Sequence, residues 1–141
     1  MCSSDLKFHE AKVRGDRTVT VWGTGSSLRE FLYSDDMADA CVYLAELPDT
    51  QLTPLLNDRL PPLVNVGCGE DLSIRELAAM IRTAVGSKAD LTWDTSKPNG
   101  TPRKLLDVSL IAGLGWRANT SLEHGLALAY ADFLAQNASQ C

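Results

Sequence analysis

The chain has 141 residues, 13 basic and 18 acidic side chains for a formal charge of −5, and is 45% hydrophobic and 22% charged. That size suits one domain or part of a larger one, with enough chain to bury a core, and the composition excludes a disordered polymer. No apolar run nears the roughly 18 residues of a membrane span, a signal peptide's basic-then-apolar layout is missing, and the acidic excess argues against nucleic-acid or anionic-membrane partners.

Met1 to Leu6 reads as an abrupt, non-native start. A helical pattern is already running at Phe8, Ala11 and Lys12, with no natural cap before it. Thr18-Val19-Thr20-Val21-Trp22 is β-branched and aromatic and predicts a strand. Gly23 to Ser27 is a loop, and Arg29 to Tyr33 a short extended segment. Ser34-Asp35-Asp36 offers a cap and negative charge to a helix with Met37, Ala40, Cys41, Leu44 and Leu47 on one apolar stripe.

Residues 48–62 hold four of the six prolines and predict a surface loop. Leu63 to Val66 reads as a strand. Ser73 to Glu76 is a capping box, and the helix behind it aligns Ile74, Leu77, Ala78, Ile81 and Val85 before Gly86 ends it. Asp90 to Trp93 is a strand. A loop follows to Arg103, then a short helix from Asp107–Ser109 ending at Gly113 or Gly115. Ser121 caps a last helix with Leu122, Leu126, Ala129, Tyr130, Phe133 and Leu134 on one face. Alternating strands and helices predict an α/β, or mixed α+β, layer arrangement.

Cys2, Cys41, Cys68 and Cys141 are widely spaced, with no CxxC and only His9 and His124 as nitrogen partners. Reduced, non-ligand thiols in a cytoplasmic protein are expected, and no metal site. Gly23-Thr24-Gly25 follows a strand but lacks the third glycine and the helix of a dinucleotide fingerprint. Val64-Asn65-Val66-Gly67-Cys68-Gly69 is a better decoy, in front of a capped helix. It resembles the first motif of S-adenosylmethionine-dependent methyltransferases, in which an acid usually stands at Asn65 and a glycine at Asp71.

The segment from Thr95 to Leu106 carries Lys97, Arg103 and Lys104 and no acid, stiffened by Pro98 and Pro102. It suits a diphosphate, or it balances neighbouring acids. Trp22 and Arg29 flank the first glycine loop. They could wall a base and contact phosphate, but from the residues alone a core tryptophan with an arginine bridged to Glu30 or Asp35 is the simpler account. Asp35-Asp36 reads as helix-start charge, not an acid–base pair.

The run Val21-Trp22-Gly23-Thr24-Gly25-Ser26-Ser27-Leu28-Arg29-Glu30-Phe31-Leu32-Tyr33-Ser34-Asp35-Asp36 resembles the entry to the sugar-nucleotide domain of extended short-chain dehydrogenase/reductases. Asp94-Thr95-Ser96-Lys97-Pro98-Asn99-Gly100-Thr101-Pro102-Arg103-Lys104-Leu105-Leu106-Asp107, with Leu114-Gly115-Trp116, resembles more narrowly the GDP-L-fucose synthase family. The likeness runs from Lys7 to about Gln136. It implies that residues 7–141 are the C-terminal substrate-binding domain of a partial chain without its N-terminal Rossmann domain.

The resemblance further implies an NADP-dependent enzyme that converts GDP-4-keto-6-deoxy-D-mannose to GDP-L-fucose by 3,5-epimerisation and 4-reduction. NADP and the catalytic groups would belong upstream of Lys7, leaving no catalytic residue here and this fragment inactive alone. Substrate contacts would fall at Lys7, Trp22, Arg29 and Asn99 (where aspartate is usual), with Lys104 on phosphate. A GDP-sugar partner, a homodimer for the full-length enzyme and a cytoplasmic setting are implied as well. The rivals are a methyltransferase fragment and a stand-alone, non-catalytic binding module.

Overall fold

The computed structural model describes residues 3–55 and 63–138. In chain order the elements are α1 (Ser3–Arg14), β1 (Thr18–Trp22), β2 (Leu28–Glu30), α2 (Ser34–Ala45), α3 (Asp49–Leu52), β3 (Asp71–Ser73), α4 (Ile74–Val85), β4 (Asp90–Asp94), β5 (Arg103–Lys104), α5 (Ser109–Gly113) and α6 (Leu122–Ala138), with a 3₁₀ turn at Thr53–Leu55. The arrangement is the expected mixture of helices and short strands. It divides into two compact units, one of residues 1–29, 72–104 and 121–141, the other of 30–71 and 105–120.

In the first unit β1 and β4 pair in parallel, from Thr18 opposite Asp90 to Trp22 opposite Asp94. The β-branched residues alternate as the pleat requires: Val19 is buried, and Thr20 faces outward with its hydroxyl 2.9 Å from that of Thr92. β2 pairs in parallel with β5, within a three-stranded sheet of order β3-β2-β5.

Helix α4 packs against both α1 and α6. Its buried face is Leu77, Ala78, Ile81 and Val85, four of the five residues on the expected stripe. The capping box forms as its sequence requires, with Glu76 N donating to Ser73 Oγ at 3.2 Å and Ser73 N to Glu76 Oε2 at 2.8 Å. The hydroxyl and N–H of Ser73 hold the Glu76 carboxyl below its ordinary range. Gly86 closes the helix in the left-handed conformation, φ 68°. Phe8 and Ala11 of α1 are buried, and α1 runs unbroken through the Leu6–Lys7 junction. His9 finds a partner in the same unit: its Nδ1 lies 3.1 Å from the Tyr130 hydroxyl, and its ring meets Phe133 edge-on at 4.9 Å.

The second unit is built on Ala40, Ile111 and Trp116, with Leu32, Tyr43, Leu44, Val64, Val66 and Val108 packed around them. Two acids of α2 tie this core to the segment after α5. Asp39 accepts from Trp116 Nε1 at 2.8 Å, and the buried Asp36 accepts from Thr120 N and Oγ1 at 2.9 and 3.0 Å.

Three sequence expectations are corrected here. The buried residues of α2 are Asp36 and Ala40, whereas Met37 and Cys41 of the expected stripe are exposed. Asp36 is held there by its two bonds to Thr120. Leu63 to Val66 is not a strand: Val64 and Val66 pack on the core, while Asn65 Nδ2 donates to Asp107 O at 3.1 Å. The proline-rich stretch opens with α3 and a 3₁₀ turn, because Pro48 sits at the N-cap and Pro54 in a tight turn, where a missing N–H costs little. Its remainder, residues 56–62, lies outside the described residues, as do Cys2 and Cys141.

Ile111 is 1% exposed at the centre of the second unit. Ile111→Ala is expected to lower stability by about 2–5 kcal/mol in a denaturant titration.

Candidate functional site

Strand β1 delivers Trp22 to its C-terminal end, beside Asp94 at the same end of β4. Ligands of open parallel sheets gather beyond such carboxyl ends. Gly23 N bonds Asp94 O at 2.9 Å, and the chain then turns through Gly23 and Gly25, at φ 79° and 75°. Both positions exclude a side chain for a second reason. A Cβ at Gly23 would stand 2.5 Å from Asn99 Oδ1, and one at Gly25 would stand 2.5 Å from the Trp93 ring.

The loop between them is held from two sides. Asn99 Oδ1 accepts from Thr24 N at 2.7 Å and from Thr24 Oγ1 at 3.0 Å, and Ser27 Oγ donates to Asn99 O at 2.9 Å. The start of α4 supplies the other side: Ile74 N donates to Ser27 O and Arg75 N to Gly25 O, at 3.0 and 2.9 Å. The Arg75 guanidinium donates to Thr24 O at 2.6 Å while lying 4.4 Å from the Trp93 ring centroid.

All five sequence-derived site residues fall in the first unit. Trp22 is 66% exposed, so it is not the core tryptophan that the residues alone favoured. The ammonium groups of Lys7 and Lys97 each lie 5.7 Å from its ring centroid, within cation–π reach. Arg29 makes no ion pair with Glu30 or Asp35 among the described residues. Its NH1 donates to Leu28 O at 2.6 Å, its NH2 approaches Gly100, and it pairs in register with Lys104. Glu30 is engaged elsewhere, accepting from Gly69 N at 2.7 Å and Leu106 N at 3.0 Å.

The result is two cationic sets, Lys7–Trp22–Lys97 and Arg29–Lys104, with Asn99 at the glycine loop between them. Four of the five residues are exposed and Arg29 is half-buried. A cavity of about 400 Å³ lined by Met80, Thr83 and Leu126, and another of about 590 Å³ lined by Lys12, Gly15 and Ser87, lie apart from them. The Asn99 carboxamide oxygen is spent on Thr24, which leaves its Nδ2 without a partner among the described residues. Sequence reasoning missed Arg75 and Trp93. In the sequence Arg75 stands only inside the capping-box run, and nothing in its spacing points to Thr24, 51 positions earlier.

The second glycine motif is not a nucleotide turn. Among the described residues no strand leads directly into it, β3 separates it from α4, and the Glu30 carboxylate fills the space beside Gly67. The methyltransferase alternative loses its strand–turn–helix unit. Cys41 and Cys68 are free thiols, and the Cys68 Sγ donates to Phe31 O and Glu70 O. Among the described residues no cluster of three or more His, Cys, Asp or Glu could hold a metal, and no helix is long and apolar enough to cross a membrane.

Residues 6–67 match the NAD dependent epimerase/dehydratase family. The chain is 50% identical over 126 residues to GDP-L-fucose synthase 1 of Arabidopsis thaliana, covering 88% of this chain and 35% of that protein. It is 47% identical over 134 residues to the GDP-L-fucose synthase of Escherichia coli K12, covering 91% of this chain and 40% of that one. A GDP-mannoheptose C4 reductase of Campylobacter jejuni, solved with NADP bound, superposes with a TM-score of 0.75 at 33% identity, over 92% of this chain and 42% of that one. The chain thus spans well under half the length of these relatives.

Gly25→Ala combines a strained backbone with a clash against Trp93. It is expected to cost on the order of 1–3 kcal/mol, read as a lowered melting temperature.

Proposed function

We propose that these residues form the GDP-binding part of a GDP-L-fucose synthase. The complete enzyme would epimerise GDP-4-keto-6-deoxy-D-mannose at two carbons and reduce its 4-keto group with NADPH. The observation that carries this reading is the exposed Trp22 indole with two ammonium groups each 5.7 Å from its ring centroid, at the carboxyl end of a parallel strand pair. The exposed indole face suits a purine or sugar ring. Cations close to the ring, in a chain of net charge −5, suit the diphosphate of such a ligand. The names of the relatives, with 47–50% identity to GDP-L-fucose synthases, support the choice of GDP-sugar.

In this scheme Trp22 stacks on the ligand, Arg29 and Lys104 contact phosphate oxygens, Lys7 adds charge, and Asn99 offers Nδ2 while its oxygen fixes the loop. Binding energy from the non-reacting nucleotide end orients the ketosugar for chemistry performed by other groups. The described residues do not fit a nicotinamide dinucleotide. The Gly23–Gly25 loop runs into β2 instead of a helix, and its Thr24 amide is already bonded to Asn99. NADP therefore belongs to a different part of the complete enzyme, and the same reading carries a cytoplasmic setting and a homodimer for that enzyme.

Two measurements test this. Arg29→Ala is expected to weaken GDP binding by about 1.5–3 kcal/mol, the loss of a charged hydrogen bond, as read by calorimetry; unchanged affinity removes Arg29 from the site. The 141-residue chain alone is expected to consume no NADPH when given the ketosugar nucleotide. Turnover by it would overturn the assignment of catalysis to other residues.

A further inference from the structure

A loop containing two glycines at positive φ has wide conformational freedom, and ordering it on a ligand would cost affinity. Here the freedom is removed beforehand at one residue. Thr24 has its N–H and O–H bonded to Asn99 Oδ1 and its carbonyl bonded to Arg75. Residue 75 holds the loop twice, because its backbone N–H also donates to Gly25 O at 2.9 Å. The guanidinium is itself immobilised, resting on the Trp93 face at 4.4 Å, and the same ring closes the space beside Gly25. A planar guanidinium can stack on an indole and donate in its own plane at once, which a lysine ammonium cannot reproduce.

We infer that Arg75 is a positioning residue for the nucleotide site: stacked on Trp93, it fixes Thr24 and so sets the disposition of Trp22 and Arg29 on either side of the loop. Arg75 makes no proposed contact with ligand. Its effect is preorganisation, which keeps the ordering cost out of the binding step. The inference rests on the reading of Trp22 and Arg29 as GDP contacts, and it adds a residue to which that reading assigned nothing.

Two readouts on the 141-residue chain separate the inference from its premise. Arg75→Met keeps an apolar stem over Trp93 and removes the guanidinium. Hydrogen exchange across residues 23–27 should then accelerate, while α4 and α6 keep their protection and the circular dichroism is unchanged. GDP affinity by calorimetry should fall about threefold to tenfold in Arg75→Met, the range expected for ordering a short loop segment on binding, with partial recovery in Arg75→Lys. Unchanged exchange at residues 23–27 in Arg75→Met overturns the clamp, whatever GDP does. Faster exchange with GDP affinity equal to that of the unsubstituted chain overturns the link to binding. No GDP binding by the unsubstituted chain, with exchange still accelerated in the variant, overturns the site reading and leaves Arg75 as a loop clamp only.

Discussion

Thr24 is bonded at all three of its polar groups by side chains from distant parts of the chain, one a carboxamide and the other a guanidinium. The placement of the candidate site residues in the first unit is tied to this arrangement. Two residues before it stands the exposed indole at the end of β1, and five residues after it Arg29 enters register with Lys104. A loop of this composition would otherwise sample many conformations, and the aromatic and cationic groups at its ends would have no fixed spacing. The parallel β1–β4 pair supplies the platform, and Asn99 and Arg75 supply the constraint.

Glu30 does comparable work in the second unit. Its two carboxylate oxygens take the amides of Gly69 and Leu106, so one acidic side chain gathers a glycine turn and the segment leading to α5. That explains why Arg29 and Glu30, adjacent and of opposite charge, do not pair. Each satisfies a backbone group, a bond that is worth more than a solvated ion pair. Asp36 and Asp39 follow the same pattern, tying α2 to Thr120 and Trp116.

Elements whose signals are local were legible in the sequence. The capping box, the apolar stripe and Gly86 define α4, and β-branched alternation defines β1 to the residue. Legibility failed where tertiary partners decide. Asp71–Ser73 forms a strand although two of its three residues are polar, because β2 offers it a neighbour, whereas the more apolar Leu63–Val66 has none and packs as irregular chain. The face of α2 was misjudged because a buried aspartate counts as polar in a periodicity, although its hydrogen bonds place it inside. The site divides in the same way. Its cationic loop and its family pattern could be read directly, but the exposure of Trp22 and the reach of Arg75 depend on segments roughly fifty or more residues apart in sequence.

The interleaving of the two units has a consequence for biosynthesis. Residues 30–71 and 105–120 complete the second unit, whereas the first also needs α6, which begins at Leu122. As the polypeptide leaves the ribosome, the Ala40–Ile111–Trp116 centre can therefore close while His9 of α1 still lacks its partners Tyr130 and Phe133. The portion proposed to hold the nucleotide is the later of the two to have all its residues, and a unit still missing part of its chain leaves apolar surface uncovered.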